Sequence, residues 1–327
     1  MVTTSISYPS HDGSSAIRAL LWEPQDVHDG LRAPRGLIQL VHGMSEHVER
    51  YTDFAAYLCS QGFAVCANDH VGHGESVSCE EDLGHMPLRG GADILVADVH
   101  ELRCRVMESF AVAYPDSHIP YAVFGHSMGS FVTRVYLTRH AFGVDAALIC
   151  GTGQQPMLMA VAGRTITGLI ARARGEHYRS KLADSLGAGA YSKAIKDART
   201  PLDWLSTDEA VVDEYIADPR CGQMFSVGAY ATLATLVKEA ISSKGAQRVP
   251  KGLPLLFIAG AEDPVGDCGR GVRAAVKEYR DAGVERVDLK IYEGARHEIL
   301  NEPIRQNVYA DCVFWLGERG LWRAPFM

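Results

Sequence analysis

The sequence lacks any apolar run long enough to cross a bilayer. Its longest apolar runs, such as 146–150 and 253–259, fall far short of the roughly 20 residues that a membrane-spanning helix needs. Residues 1–9 contain neither a basic stretch nor an apolar one, so a secretory signal peptide is not expected. These absences predict a cytoplasmic protein.

The sequence also lacks the cysteine and histidine spacings of a metal site. Its eight cysteines are scattered, with no C-x-x-C, so neither a zinc site nor a disulfide framework is indicated. His70 and His73 form an H-x-x-H, but no H-E-x-x-H accompanies them, which favours a loop-packing role over metal ligation. No glycine-rich segment has the lysine of a phosphate loop. We therefore predict no metal and no cofactor.

The sequence also has no excess of positively charged residues. With 32 Lys and Arg against 40 Asp and Glu, the net charge is −8, which suits a phosphate backbone poorly and makes nucleic acid an unexpected partner. The 327 residues, 47% of them hydrophobic, suffice for one large core and an inserted subdomain. The sequence does not indicate an oligomeric state.

What is present is an alternation of short apolar runs with amphipathic segments. An opening hairpin is predicted at 3–7 and 17–22, and further strands at 37–41, 63–67, 121–124, 146–150, 253–259 and 287–292. Helices are predicted at 51–60, 93–110, 128–140, 271–282 and 304–316. This order predicts an α/β class, with a mostly parallel central sheet and helices on both faces.

The stretch 152–250 contains no convincing strand and looks like several short helices broken by glycine and proline. A helical insertion of this size inside a β/α repeat predicts a cap, or lid, placed after the sixth strand and over the carboxyl edge of the sheet. We thus expect a core from residues 1–151 and 251–327, with the cap at 152–250.

The strongest chemical signal is Gly125-His-Ser-Met-Gly129, which is the one G-x-S-x-G of the chain. It lies between a predicted strand and a predicted helix, the context in which this motif places a serine at the apex of a cramped turn. Ser127 is therefore the candidate nucleophile. The alternative is that Ser127 merely caps the helix.

A serine hydroxyl needs a base, and two later loops supply candidates for it. His297 follows the last predicted strand, and Asp263 follows the strand before it, with Glu262 adjacent and Asp267 nearby. Pro264 stiffens the turn after Asp263, which favours Asp263 over Glu262. The chain order Ser127, Asp263, His297 is that of the α/β-hydrolases, and their fold is the expected one.

An acyl-transfer site also needs donors for the oxyanion of its tetrahedral intermediate. One is expected from the backbone N–H of Met128, directly after the nucleophile. The second is expected from the loop after the third strand, at the N–H of Met44.

Four segments resemble monoacylglycerol lipases and bacterial lysophospholipase-like hydrolases of the serine aminopeptidase S33 type. These are the H-G-x-x-E-H-x-x-R-Y at 42–51, the D-x-x-G-H-G-x-S at 69–76, the elbow at 125–129 and the histidine segment at 296–302. The resemblance implies that Glu46, Arg50 and Tyr51 hold the oxyanion loop through charged hydrogen bonds. Met44 departs from it, because family members often have a smaller residue there, and its bulk would narrow an acyl site.

The cap offers candidate substrate contacts, which are Trp204, Met224 and Phe225, together with His126 of the elbow. The cap residues either line an acyl tunnel or form the core of the cap, and both interpretations stay open. An apolar stripe at 161–173 has basic neighbours that include Arg164, Arg172, Arg174 and Lys181. Such a helix either packs the cap onto the core or makes peripheral contact with an anionic membrane.

These features predict a serine hydrolase that cleaves carboxylic esters with one acyl chain, small-molecule or lipid, such as monoacylglycerols or lysophospholipids. A proline-iminopeptidase-like peptidase is the alternative, and it needs an acidic cluster in the cap, for which Asp208, Glu209, Asp213 and Glu214 are candidates. A non-catalytic binding protein on the same fold is a further alternative, and it would normally lack one of the three catalytic residues.

Overall fold

The computed structural model describes residues 1–318, which form one eight-stranded sheet with helices around it. The strands are β1 (Val2–Pro9), β2 (Ala16–Glu23), β3 (Leu37–Val41), β4 (Ala64–Asn68), β5 (Tyr121–His126), β6 (Ala146–Cys150), β7 (Leu255–Gly260) and β8 (Val287–Tyr292). The helices are α1 (Gln25–His28), α2 (Thr52–Ser60), α3 (Gly91–Ala113), α4 (Met128–Leu137), α5 (Met157–Arg174), α6 (Lys181–Leu186), α7 (Glu209–Ala217), α8 (Val227–Ala240), α9 (Ser243–Arg248), α10 (Arg270–Asp281) and α11 (Arg305–Glu318).

The strand order across the sheet is β1-β2-β4-β3-β5-β6-β7-β8. The pairs β1–β2 and β2–β4 are antiparallel, and every pair from β4–β3 to β7–β8 is parallel. The prediction of a mostly parallel sheet is therefore confirmed. Three strands, β3, β6 and β8, have the predicted bounds, whereas the other predicted elements differ from the observed ones at their ends, and α1 was not predicted.

Alternate residues of each central strand enter two different hydrophobic clusters, one on each face of the sheet. In β3, Leu37 and Val41 pack with α3, α4 and α10, whereas Ile38 and Leu40 pack with α2 and α11. A strand that is buried on both faces shows a nearly continuous apolar run, and the run at 37–41 is interrupted by Gln39 alone. The predicted helices on both faces of the sheet are thus confirmed.

The chain between β6 and β7 is helical in the structure, from α5 to α9, as the sequence predicts. Its α8 does not stand apart from the core, because Val227, Tyr230 and Leu236 belong to the same hydrophobic cluster as α3 and α4. The division into a core and a cap at 151/152 and 250/251 stays a prediction, and residues 319–327 of the predicted core lie outside the described residues.

A fully buried arginine of α4 holds both ends of this helical segment. Arg134 donates to the carbonyl oxygens of Gly153, at 2.8 Å, and Ala240, at 2.9 Å, and to Oε1 of Gln154, at 2.7 Å. These neutral acceptors satisfy a guanidinium that has no carboxylate partner among the described residues.

The close contact of Gly129 in α4 with the end of β3 leads to a first testable prediction. A Cβ at Gly129 would lie 2.0 Å from the Val41 carbonyl oxygen and 2.5 Å from that of His42, and neither backbone can yield. We expect Gly129→Ala to lower the free energy of unfolding by about 3 kcal/mol, measured by urea denaturation.

The matched control is Gly163→Ala in α5, where the new Cβ would meet only Ala234 Cβ at 3.8 Å. That substitution should raise stability by up to about 1 kcal/mol, because alanine is the better helix former. Equal stability of Gly129→Ala and the wild type would contradict the packing argument.

Candidate active site

Ser127 lies at a sharp turn between β5 and α4. Its φ of +53° and ψ of −122° are unfavourable for a residue with a side chain, which marks stored backbone strain. The neighbouring glycines leave room for the turn, since a Cβ at Gly125 would lie 2.3 Å from Thr133 Oγ1. The Ser127 N–H donates to the Cys150 carbonyl at 3.0 Å, and its side chain is half-buried. This is the geometry that exposes a serine hydroxyl at the carboxyl edge of a sheet.

The structure brings the predicted base and its orienting carboxylate together. Nδ1 of His297 is 2.9 Å from Oδ1 of Asp263, and both side chains are buried. The same Oδ1 accepts from the Val265 N–H at 2.9 Å, which fixes the carboxylate. Because Nδ1 carries the proton that faces Asp263, the buried Nε2 of His297 is a free acceptor, with no hydrogen-bond partner among residues 1–318.

The two acidic neighbours of Asp263 do not reach the histidine. Glu262 is exposed, and Asp267 is exposed and paired with Arg270 at 2.7 Å. Their positions favour Asp263 as the partner of His297.

Ser127 and His297 lie at the same edge, beside the end of β6. The Ser127 N–H bonds to Cys150, and a Cβ on the next residue, Gly151, would lie 3.0 Å from Cε1 of His297. Gly151 has a φ of +60° and its lack of a side chain leaves space for the imidazole. The loops after β5, β7 and β8 thus meet at one place.

The loop after β3 reaches the same place from the other side. A Cβ at Gly43 would lie 3.0 Å from Cβ of Ser127, so the Gly43–Met44 peptide is adjacent to the predicted nucleophile. Met128 is the first residue of α4, where backbone N–H groups have no partner within the helix. Ser45 has a φ of +53°, and its carbonyl accepts from the hydroxyl of Tyr215 at 2.7 Å. The strained loop is therefore held from outside.

Four charged groups, three of them buried and Arg50 half-buried, tie these loops to one another. Oε1 of Glu46 accepts from the Gly43 N–H at 2.5 Å, and its Oε2 accepts from Arg50 at 2.9 Å. Arg50 forms a bidentate salt bridge with Glu298, and both of its N–O distances are 2.6 Å. His126 Nδ1 lies 3.4 Å from Glu46 Oε1 and 3.0 Å from the hydroxyl of Tyr51. The family role of Glu46, Arg50 and Tyr51 agrees with these contacts.

The pKa directions in this cluster follow from burial opposed by paired charge. Burial raises the pKa of Glu46, but the hydrogen bond to His126 and the Arg50 guanidinium outweigh it and hold that pKa well below its usual range. Burial likewise raises the pKa of Glu298, and Arg50 outweighs it, so the pKa is lowered. Burial lowers the pKa of His126, but Glu46 outweighs it and raises that pKa.

The geometry around His126 agrees with a protonated ring. Tyr51 donates its hydroxyl proton to Glu46 at 2.8 Å, so its oxygen can accept from Nδ1 of His126. Nε2 of His126 lies 3.4 Å from the carbonyl oxygen of His297. Both ring nitrogens face acceptors, and only the imidazolium has two protons to donate.

The predicted substrate contacts occupy different positions. The ring centroid of Trp204 is 5.0 Å from that of His297 and 5.1 Å from that of Tyr191, so Trp204 lies beside the site. Phe225 is completely buried, 5.4 Å from His73 between ring centroids, and Met224 is half-buried. His126 belongs to the charged cluster. Contact with a substrate stays a prediction for all four.

The predicted histidine pair, His70 and His73, packs in the interior with His42. The ring centroid of His42 is 4.3 Å from that of His70 and 5.3 Å from that of His73. Burial lowers the pKa of His70 to about 3 and that of His73 to about 4. The loop-packing interpretation agrees with this position, and the rings stay neutral.

Two other groups of side chains have atoms close enough to share a metal ion, and sequence reasoning missed both. They are His47 with Asp218 and Cys221, and His85 with Glu176 and His177, each with its ligand atoms within 4.8 Å of one another. In the first, His47 Nε2 is already 2.9 Å from Asp218. In the second, the rings of His85 and His177 stack at 3.6 Å.

Two of the four acidic residues that a peptidase would need are engaged in contacts within the segment between β6 and β7. Asp208 caps α7 by accepting from the Ala210 N–H, and Asp213 is paired with Arg199 at 2.7 Å. Glu209 and Glu214 are exposed.

No helix within residues 1–318 is long and apolar enough to span a membrane.

Sequence reasoning missed Glu298 and Tyr191. Glu298 directly follows His297, so a charged residue next to the base was a signal that it anchors that loop. Tyr191 is in a segment without a motif, and only its contact with Trp204 identifies it.

Comparison with known proteins agrees with this geometry. The model of the family described as "Serine aminopeptidase, S33" matches residues 32–304. The monoacylglycerol lipase of Mycolicibacterium smegmatis is 28% identical, over 97% of this chain and 99% of its own. The human monoglyceride lipase is 25% identical, over 91% of this chain and 86% of its own.

Among solved structures, a thermostable carboxyl esterase from Bacillus coagulans superposes with a TM-score of 0.87. It is 30% identical and the match covers 97% of this chain and 99% of the esterase. The fold is thus that of the α/β-hydrolases.

The position of Asp263 sets a second prediction. Asp263→Asn keeps the shape but removes the charge that holds the His297 tautomer, so we expect kcat for ester hydrolysis to fall about 10,000-fold. The adjacent, exposed Glu262→Gln is the control and should stay within about threefold of the wild type, because Glu262 touches neither Ser127 nor His297. Equal losses in both variants would contradict the assignment.

Proposed function

The chain belongs to the serine aminopeptidase S33 family and is a carboxylic ester hydrolase, and we propose that it cleaves esters with a single acyl chain through a covalent intermediate on Ser127. The observation that carries the proposal is the buried pair of His297 and Asp263, 2.9 Å apart. Its imidazole has a buried nitrogen without a hydrogen-bond partner in the described part of the chain, at the edge where the Ser127 turn lies.

In the proposed mechanism, Nε2 of His297 takes the proton of the Ser127 hydroxyl as its oxygen attacks the ester carbonyl. The N–H groups of Met44 and Met128 stabilise the oxyanion that forms. Asp263 stabilises the imidazolium, which then protonates the departing alcohol. A water molecule, activated by the same His297, releases the acid and restores Ser127.

Two features support a substrate with one acyl chain. Curated relatives along nearly the whole chain are a monoacylglycerol lipase and monoglyceride lipases. Beside His297, Trp204 and Tyr191 form an aromatic wall that belongs to a small apolar cluster with Leu205 and Val265. Such a wall suits an acyl chain or the carbon skeleton of an alcohol better than a charged group.

A direct test compares the wild type with Ser127→Ala on p-nitrophenyl esters from acetate to laurate, alongside a monoacylglycerol, a lysophospholipid and a prolyl anilide. We expect the wild type to cleave the esters and the monoacylglycerol. The variant should lose kcat by about a million-fold, because the nucleophile is gone. Ser130→Ala is the matched control, since its hydroxyl donates to the Ser127 carbonyl and does not carry the reaction.

If the folded wild type cleaves the anilide but none of the esters, the proposed ester hydrolysis is refuted and the peptidase alternative is supported. Ester hydrolysis that survives in Ser127→Ala would refute the serine mechanism.

Peripheral contact with an anionic membrane belongs to the same proposal. The inner face of α5 has small residues, Ala160, Thr167 and Ala171, which pack towards α8. Several larger apolar residues of α5 and α6 are more than half exposed, namely Leu158, Met159, Leu169, Leu182 and Leu186. Arg172, Arg174 and Lys181 are exposed nearby. Exposed apolar side chains with basic neighbours suit an anionic lipid surface.

We expect the triple variant Leu158→Ser, Leu182→Ser, Leu186→Ser to lose most of its binding to phosphatidylglycerol vesicles, measured by co-sedimentation at low salt. Phe142→Ser is the control, because Phe142 is 98% exposed but lies outside α5 and α6. Wild-type protein that stays in the supernatant at every lipid concentration would refute the membrane contact.

A further inference from the structure

A buried histidine without an assigned role borders the Gly43–Met44 peptide. His42 is completely buried at the end of β3, directly before Gly43. Its Nδ1 lies 2.8 Å from the Gly43 carbonyl oxygen, and its Nε2 accepts from the backbone N–H of His70 at 2.9 Å. The ring thus bridges the loop after β3 to the loop after β4.

These two partners determine which nitrogen carries the proton. A backbone N–H can only donate, so Nε2 of His42 carries no hydrogen on the side of His70. A carbonyl oxygen can only accept, so Nδ1 must be the donor to Gly43. His42 is therefore the neutral tautomer with its proton on Nδ1.

The surroundings keep His42 in this form. Burial, with His70 and His73 as neighbours, holds the pKa of His42 well below its usual range. Protonation would also place a hydrogen on Nε2 against the N–H of His70. As long as the protein is folded, Nδ1 of His42 therefore keeps its proton and donates to the Gly43 carbonyl oxygen.

The planar peptide transmits this contact to the neighbouring amide. In a trans peptide, the C=O of Gly43 and the N–H of Met44 point in opposite directions. Holding the Gly43 carbonyl with His42 therefore directs the Met44 N–H away from His42. The other side of Gly43 is fixed as well, because its N–H donates to Glu46. Gly43 has no side chain to restrict rotation of this peptide, so external contacts must set its orientation.

We infer that His42 is a positioning residue, which aims the Met44 N–H at the oxyanion by holding the Gly43 carbonyl. This inference rests on the proposed serine mechanism and goes beyond it. An imidazole is suited to the role, because it joins one donor and one acceptor on opposite sides of a single rigid ring.

Two substitutions separate the two hydrogen bonds. In His42→Asn, the amide nitrogen takes the place of Nδ1 and can still donate to Gly43, whereas the His70 N–H loses its acceptor. In His42→Gln, the amide oxygen takes the place of Nε2 and still accepts from His70, whereas Gly43 loses its donor. The matched control is His73→Gln, which makes the same change within the same buried cluster, away from the Gly43 carbonyl.

We expect His42→Gln to lower kcat about tenfold or more, with KM unchanged, since one oxyanion donor is misdirected. Its affinity for a trifluoromethyl ketone, which forms a tetrahedral adduct with the serine, should fall by a similar factor. His42→Asn and His73→Gln should keep kcat and this affinity within about threefold of the wild type. A purely structural role would instead make both losses follow the change in Tm.

Wild-type kcat and ketone affinity in His42→Gln would overturn the inference, as would equal losses in His42→Asn and His42→Gln. If His42→Gln does not fold, His42→Phe fills the same space without either hydrogen bond, and undiminished ketone affinity in that variant would also overturn it. Failure of the serine mechanism is distinguishable, because Ser127→Ala would then remain active whatever the His42 variants do.

Discussion

The site depends on a buried ionic cluster in which two cations and two carboxylates alternate. Glu298, Arg50, Glu46 and His126 are linked in that order, by contacts of 2.6 Å, 2.9 Å and 3.4 Å. Glu46 and Arg50 both lie in the segment after β3, His126 ends β5 at the turn that bears Ser127, and Glu298 lies in the loop after β8. Charges removed from water are tolerated only when they are paired and hydrogen-bonded. The balance of the cluster therefore requires that the three loops keep their relative positions.

This cluster explains how strained backbone can persist at the site. Ser45 and Ser127 both have positive φ values, which cost free energy locally. The cluster holds the loops on either side of them, through the Gly43 N–H, through His126 and through Glu298. If the loops separated, each ion of the cluster would lose its partner. Because an unpaired buried charge costs several kcal/mol, about as much as or more than the backbone strain, relaxing the strain in this way is unfavourable.

Local sequence patterns predicted much of the fold and the site. The strands at 37–41, 146–150 and 287–292 have the predicted bounds, because each ends at a loop: the first two are largely apolar runs, and the third alternates apolar and polar residues. The meeting of Asp263 with His297 followed from their places after neighbouring parallel strands. The bridge from Arg50 to Glu298 spans 248 residues of sequence, and the tautomer of His42 depends on a backbone N–H of another loop. The position of Glu298 next to His297 is a local signal, but its partner Arg50 and the tautomer of His42 are revealed only by the folded chain.

The double anchorage by Arg134 limits how freely this chain can be recombined with its relatives. One guanidinium on α4 binds the chain at Gly153 and again at Ala240, and α8 shares a hydrophobic cluster with α3 and α4. The segment between β6 and β7 is thus not an exchangeable module. Substitutions that change the substrate preference, in evolution or by engineering, would have to preserve the contact between α4 and α8. They would have to fall in α5, α6 and the stretch that contains Trp204.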